Sequence, residues 1–255
     1  MSRVANKRIS LTLMAALTLF SAGSLNAQND TEADGSARPA PAAYEALYEA
    51  RAMGMRSTAY RRLEHLPDGE YSLRHGLSAS VLGANLITVE ESSRFRWDDG
   101  GAVPLSYHYQ QTGVRRRDER VNFDYEQNIA LMTREDREQS LPLAGRILDD
   151  LSFSAQMSAD LLADPALRTP DTVLSYQIVD ARRLETHQYR VLGEERISTG
   201  AGELNTLKLE RIREADSDRS TTLWLAPDNQ FTLARLAQVE NGSNMELTLQ
   251  QISWQ

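Results

Sequence analysis

The chain has 255 residues, a formal net charge of −8, 41% hydrophobic residues and no cysteine. Without thiols there are no disulfides, cysteine nucleophiles or thiolate metal sites, so the fold must rest on its apolar core. The acidic balance excludes a nucleic-acid partner, which would require clustered basic side chains to neutralise phosphate.

Arg3, Lys7 and Arg8 precede an apolar run over residues 9–25 that ends in Ser24-Leu25-Asn26-Ala27. This is the layout of a secretory signal peptide, with cleavage expected near Ala27. Ser10, Thr12, Thr18, Ser21 and Gly23 interrupt the run too often for a stable span of ~20 apolar residues. The expectation is an exported, periplasmic protein with no transmembrane anchor after cleavage. Losing residues 1–27 removes three basic side chains and no acidic one, leaving 25 against 36, a net charge of −11. Residues 28–43 are small, polar and proline-containing and predict a disordered leader, so a single domain is expected over 44–255.

Within that domain the dominant period is two. Tyr44, Ala46, Tyr48, Ala50 and Ala52 share one parity, and Gly54 permits a turn into a strand reaching Leu66. Pro67-Asp68-Gly69-Glu70 reads as a tight turn. In the next clear strand Ile87, Val89, Phe95 and Trp97 face a core, while Thr88, Glu90, Ser92, Arg94 and Arg96 face water. Leu105, Tyr107 and Tyr109 continue in register, followed by Val121, Phe123 and Tyr125. Leu148, Leu151, Ala155, Ala159 and Leu162 then recur at helical spacing, so one principal helix is expected over about 146–163, stopped by Pro165. More strands follow, separated by Gly200 and Gly202, Asp228 and Asn229, and Asn241 and Gly242. The predicted fold is mainly β: a curled antiparallel meander or open barrel, partly closed around that helix.

Catalytic signatures are scarce. His65, His75, His108 and His187 include no pair at helical zinc spacing, so neither metal nor cofactor is expected. Gly200 and Gly202 join two strands, whereas a phosphate loop opens a helix. There is no serine-hydrolase elbow, and Lys208 is the one lysine beyond the leader, read as a solvated strand residue. The acidic pairs Asp98–Asp99, Asp149–Asp150 and Glu194–Glu195 could supply two carboxylates, but adjacent residues on a strand point to opposite faces, so neither strand pair works as a unit, although carboxylates from different strands remain open. Arg115, Arg116, Arg117 and Arg120 read as a solvated strand edge. No catalytic residue is assigned. His75, His187, Tyr107, Tyr109, Phe123 and Tyr125 are the candidate ligand-binding residues.

Several fragments in order carry a resemblance: "YEALYEARAMGMRSTAYRRLE", "ESSRFRW" with "PLSYHY", "LSYQIVD", "YRVLGEERISTGAGELNTLKLERI" and "STTLWLAPDNQFTLARLAQVE". Together they resemble the exported bacterial family of the domain of unknown function 3108. Thr222, Trp224, Ala226 and Pro227 match that family's pattern, whereas Leu233 and Ala234 stand where proline and valine are expected. The family carries no agreed activity. Its sheet-and-helix pattern is similar to periplasmic lipoprotein carriers, unclosed barrels with an apolar cavity, and this analogy implies binding rather than catalysis.

The leading expectation is therefore non-catalytic binding or scaffolding of a lipid, lipoprotein or glycan of the cell envelope. An envelope hydrolase or glycan-modifying enzyme is the first alternative, and an interaction subunit of an envelope assembly the second. The stretch from Ser220 to Gly242 reads as a β-hairpin turning at Pro227-Asp228-Asn229.

Overall fold

The alternation of small and large apolar residues with polar ones produces strands almost throughout. The structure is a computed structural model that describes residues 37–255 except 53, 82–83, 114–115 and 136. The signal-peptide reading over 1–27, Arg115 and the leader as far as 36 lie outside the described residues.

The strands are β1 Tyr44–Ala52, β2 Met55–His65, β3 Tyr71–Val81, β4 Ala84–Asp98, β5 Gly101–Gly113, β6 Arg117–Asp124, β7 Ile129–Arg134 and β8 Arg137–Pro142, then β9 Ile147–Leu148. The helix α1, Ser152–Ala163, comes next, before β10 Val173–Val179, β11 Leu184–Thr199, β12 Gly202–Ile212, β13 Arg219–Ala226, β14 Thr232–Glu240 and β15 Ser243–Trp254. All fifteen form one sheet in the order β8-β7-β6-β5-β4-β3-β2-β1-β15-β14-β13-β12-β11-β10-β9. The chain starts in the middle, meanders to one edge, crosses through α1 to the other edge, and meanders back. Every pairing is antiparallel except β9 with β10, so the sheet is mixed and unclosed.

Bulges at Leu47/Tyr48, Arg94/Phe95, Val191/Gly193 and Trp224/Leu225 add twist, and this curls so wide a sheet around one face. That face carries α1. Gln156 accepts from the Ala102 amide on β5 at 2.8 Å, Ser158 donates to the Phe231 carbonyl before β14 at 3.1 Å, and Phe153 stacks on Tyr189 of β11 at 6.0 Å. Arg61 of β2 also donates to Ser154. One helix thus touches strands from both halves of the meander and spans the interior.

The helix is shorter than its apolar spacing predicts, because residues 146–151 are not helical. Ile147 and Leu148 pair with β10, and Asp149 then turns the chain. Its Oδ1 accepts the amides of Leu151 and Ser152 at 2.9 and 2.8 Å, while Ser152 Oγ accepts the Asp149 amide at 3.0 Å. This reciprocal cap starts the helix where free amides would otherwise be buried. Asp164 ends it and caps a 3-10 turn over Pro165–Arg168.

Successive strands reverse direction, so their turns fall on two rims. Beneath α1 lies the rim with the ends of β4 and β13, and the strap over 37–43 crosses it. Arg38 pairs with Asp160 of α1 at 2.7 Å, its amide donates to the Asp99 carbonyl, and Trp97 Nε1 donates to the Arg38 carbonyl. The polar leader of the sequence reading therefore ends in residues bonded to the helix.

On the opposite face the tip of the β11–β12 hairpin folds over the sheet. β12 pairs with β13 only over Leu207–Glu210; beyond that Ile197 and Leu204 pack on Trp224, Ala226 and Ala234. The Gly200 amide donates to the Leu249 carbonyl at 2.9 Å. Trp224 is buried here, with Lys208 and Arg235 against its ring at 5.1 and 5.3 Å. Lys208, its side chain 32% exposed, stays at the surface as the sequence reading expects and pairs with Glu195 at 2.8 Å.

Candidate functional site

The register of the antiparallel strands assembles rows of side chains across the helix-bearing face. One row runs Ala46, Arg61, His75, Glu91, Tyr109, Glu119, Arg134 from β1 to β7. It is a polar ladder between two largely apolar rows. On the helix side stand Tyr44, Leu63, Leu73, Ser93, Tyr107, Val121 and Met132; on the other side stand Tyr48, Ala59, Leu77, Val89, Gln111 and Arg117.

Beneath the start of α1 the ladder meets three acids. Glu91 accepts from the Tyr107 hydroxyl at 3.1 Å, and burial pushes its carboxyl up to about 7. Asp149 is fully buried and held by Ser93 Oγ at 2.7 Å; desolvation still raises its pKa against the hydrogen bonds that lower it. Asp150 is pushed well above the carboxylate range by burial, with Asp180, Glu91 and Asp149 adding to the shift. His75 goes the other way, down to about 4, because burial and the Arg61 charge both disfavour imidazolium.

Glu91, Asp150 and His75 share a telling combination. Desolvation dominates the protonation of each, yet each retains some accessible surface. The three therefore combine strong desolvation with partial solvent access on the helix-bearing face of the sheet.

Across from them stand β11 and β12. His187 is buried edge-on to Phe153 at 6.2 Å, and its Nε2 lies 3.2 Å from Glu185. Glu185 is held down to about 2, first by His187 and then by the Arg183 charge. Burial lowers His187, and its Nδ1 has no hydrogen-bond partner. Tyr189 and Arg211 lie in register on the same face.

At the rim opposite the strap one carboxylate gathers three arginines. Glu119, 8% exposed, lies 2.8 Å from Arg117, 3.0 Å from Arg134 and 3.4 Å from Arg182. Arg182 comes from the turn between β10 and β11, so this node ties the two ends of the open sheet together. It also corrects the reading of Arg117 as part of a solvated edge: Arg117 faces inward and lies over the Tyr109 ring at 4.8 Å, whereas Arg116 and Arg120 are exposed.

Of the six residues singled out from sequence, the structure brings His75, Tyr107 and Tyr109 onto adjoining positions of the same face. His187 faces them from the other half of the sheet. Phe123 is buried toward the strap-side rim, away from the ladder, and Tyr125 lies beyond the end of β6, 42% exposed, with its hydroxyl on the Pro104 carbonyl at 2.7 Å. Leu105 is also out of step with Tyr107, because the bulge at Arg94/Phe95 passes over it. Missed from sequence were Arg61, Glu91, Ser93 and Glu119, while Asp149 and Asp150 were read only as one of the adjacent acidic pairs. The signal for the first four was parity: Glu91 and Ser93 stand at the same parity as Val89 and Phe95, Arg61 as Ala59 and Leu63, and Glu119 as Val121.

Among the described residues no group of three or more histidine or acidic side chains forms a possible metal-ligand set, and no helix is long and apolar enough to cross a membrane. A β-barrel-like protein of the domain of unknown function DUF1849 from Brucella abortus has a similar structure: TM-score 0.55, 8% identity, covering 84% of this chain and 98% of that one. The Pseudomonas aeruginosa MucA/MucB complex structure aligns at TM-score 0.37 and 15% identity, covering 84% of this chain and 52% of that one. Among curated proteins none matches the sequence. The first of these likenesses shows the fold, a curled β sheet open along one seam. The family profile described as protein of unknown function (DUF3108) matches residues 75–250, and the chain belongs to that family.

Proposed function

We propose that this is a non-catalytic binding protein of the bacterial cell envelope, and that the space beneath α1 holds an amphiphilic envelope component such as a lipid. The single observation that carries this reading is the set Glu91, Asp150 and His75, deep in the barrel yet accessible. The envelope location rests on the export signal read in the first 27 residues. The test is native mass spectrometry of the protein recovered from its own envelope fraction. A bound mass fragmenting to an acyl chain is expected, and repeated recovery of bare protein would sink the lipid reading.

A second reading rests on Glu91 itself. A carboxyl near 7 beside a neutral His75 is suited to general-base work, which keeps envelope hydrolysis in play. Turnover of envelope glycan or lipid ester by the wild-type protein, lost in Glu91→Gln, would favour it over simple binding.

A further inference from the structure

On the outward face of β1 to β4 the strand register lays down three rows. The middle row is Leu47, Tyr60, Gly76 and Glu90, each directly opposite the next. One flank is Glu45, Arg62 and Arg74; the other is Thr58 and Ser78. Together they line an open cavity of about 380 Å³, large enough for a small molecule.

The floor of this trough follows from Gly76. A Cβ there would lie 2.2 Å from Tyr60 Cε1 and 2.7 Å from Cζ, so the Tyr60 ring rests over the glycine, with one face on the sheet and the other turned outward. Its hydroxyl donates to Glu90 at 2.5 Å, which fixes the ring at its far end. Leu47, 36% exposed, extends the apolar floor. A flat ring is thereby held in place before any ligand arrives, edged by the planar polar groups of Glu90 and Arg74.

The charges disfavour an ionic ligand. Glu45 and Glu90 balance Arg62 and Arg74, so the lining is neutral. Burial and the Glu90 bond raise the Tyr60 hydroxyl to about 12 against the opposing charges of Arg74 and Arg62, which places both guanidiniums near the ring. An ammonium over that ring would be repelled by them, and an anion on Arg74 would lie beside Glu90, its diagonal neighbour. Arg62 is held by Glu45 at 2.8 Å, whereas Arg74 makes no ion pair among the described residues and keeps its N–H groups for a ligand.

We infer that this trough is a saccharide site, on the opposite face of the sheet from the space beneath α1 and independent of the reading proposed there. A neutral sugar lays an unsubstituted C–H face on Tyr60, whose ring face is electronegative. Its hydroxyls donate to Glu90 and accept from Arg74, so one neutral ligand serves both charged groups at the edge. Sugars with equatorial substituents, as in cellobiose, leave such a face free.

The experiment titrates the protein with cellobiose, N,N′-diacetylchitobiose and phosphocholine, followed by proton NMR. At least one disaccharide should give saturable shifts of the Tyr60 ring and the Leu47 methyls, with a Kd in the millimolar range expected of an open site. Nuclear Overhauser contacts should run from the sugar ring protons to Tyr60. Tyr60→Leu should weaken binding about tenfold, and Tyr60→Phe or Arg74→Met about two- to tenfold. Shifts at Tyr60 and Leu47 with neither disaccharide at about 50 mM, well above that range, would overturn the inference. Tighter binding of phosphocholine than of both sugars would overturn it in favour of a zwitterionic head group. Contacts to His75 or Tyr107 instead of Tyr60 would move the sugar to the inner face and overturn the outward site. Should Tyr60→Leu fail to fold, the contacts on the unaltered protein decide, and their absence from Tyr60 is the overturning result.

Discussion

Replacing Glu119 with glutamine removes the one carboxylate that Arg117, Arg134 and Arg182 share, while keeping the shape of the side chain. Breaking a buried ion pair by neutralising one partner costs about 3–5 kcal/mol, because the other charge stays desolvated. Here Glu119 and Arg117 are 8% and 10% exposed, but Arg134 is 39% exposed, so water screens part of the node. A loss of about 2–4 kcal/mol is therefore expected. For a domain of this size each kcal/mol lowers Tm by about 2–4 °C, giving a fall of about 5–15 °C. Thermal unfolding followed by far-ultraviolet circular dichroism would measure it. Arg182 reaches Glu119 across 63 residues of sequence. A double-mutant cycle with Arg182→Gln should thus show coupling of about 1 kcal/mol. A loss below about 0.5 kcal/mol with no coupling would refute the claim that this node ties the open sheet together.

Three further outcomes follow from the geometry. Glu91 has its pKa raised from 4.5 to about 7, so the folded protein binds a proton that the unfolded chain has released, and stability falls as pH rises through that window. The full shift corresponds to about 3 kcal/mol; Glu91→Gln should be the more stable protein at pH 8 in urea unfolding, and parallel stability-pH curves for the two would contradict the assignment. Gly76→Ala would put a methyl 2.2 Å from Tyr60 Cε1 and 2.8 Å from Glu90 Oε1, displacing the ring and the Tyr60–Glu90 hydrogen bond; a cost of about 1–3 kcal/mol is expected, and an unchanged urea midpoint would count against it. Gly200→Ala would place a methyl 2.9 Å from the Gln250 Cα, lifting the hairpin tip off Trp224. Trp224 emission, read in a Trp97→Phe, Trp254→Phe background, should then shift to the red, and an unmoved spectrum would show that the tip tolerates the methyl.

The strands were legible because a half-buried antiparallel strand declares itself by alternation: Ala46, Tyr48 and Ala50, or Val89 and Phe95, could belong to little else. What alternation does not carry is register. Arg61, His75, Glu91 and Glu119 each look like a lone polar residue on an apolar face, and only the turn lengths and bulges bring them into one row. The bulge at Arg94/Phe95 also separated Leu105 from Tyr107, which simple counting had joined. The helix start was hidden for a different reason. Leu148 and Leu151 fit a helical period by coincidence, while the side chain of Asp149 was free to cap a later start once Ile147 and Leu148 found an edge to pair with. Trp224 marked the hairpin correctly, but a period of two could not show that the tip of β11 and β12 folds back to bury it.

The central claim, that the ligand lies inside the curled sheet, is tested most directly by mapping chemical-shift changes on titration with dodecanoate. The His75 ring, the Val89 and Leu77 methyls and the Ala59 methyl should move together, with the Trp224 indole and the outward Leu47 methyls unaffected. Shifts confined to Leu47, Tyr60 and the other outward side chains, with His75 unmoved, would contradict it.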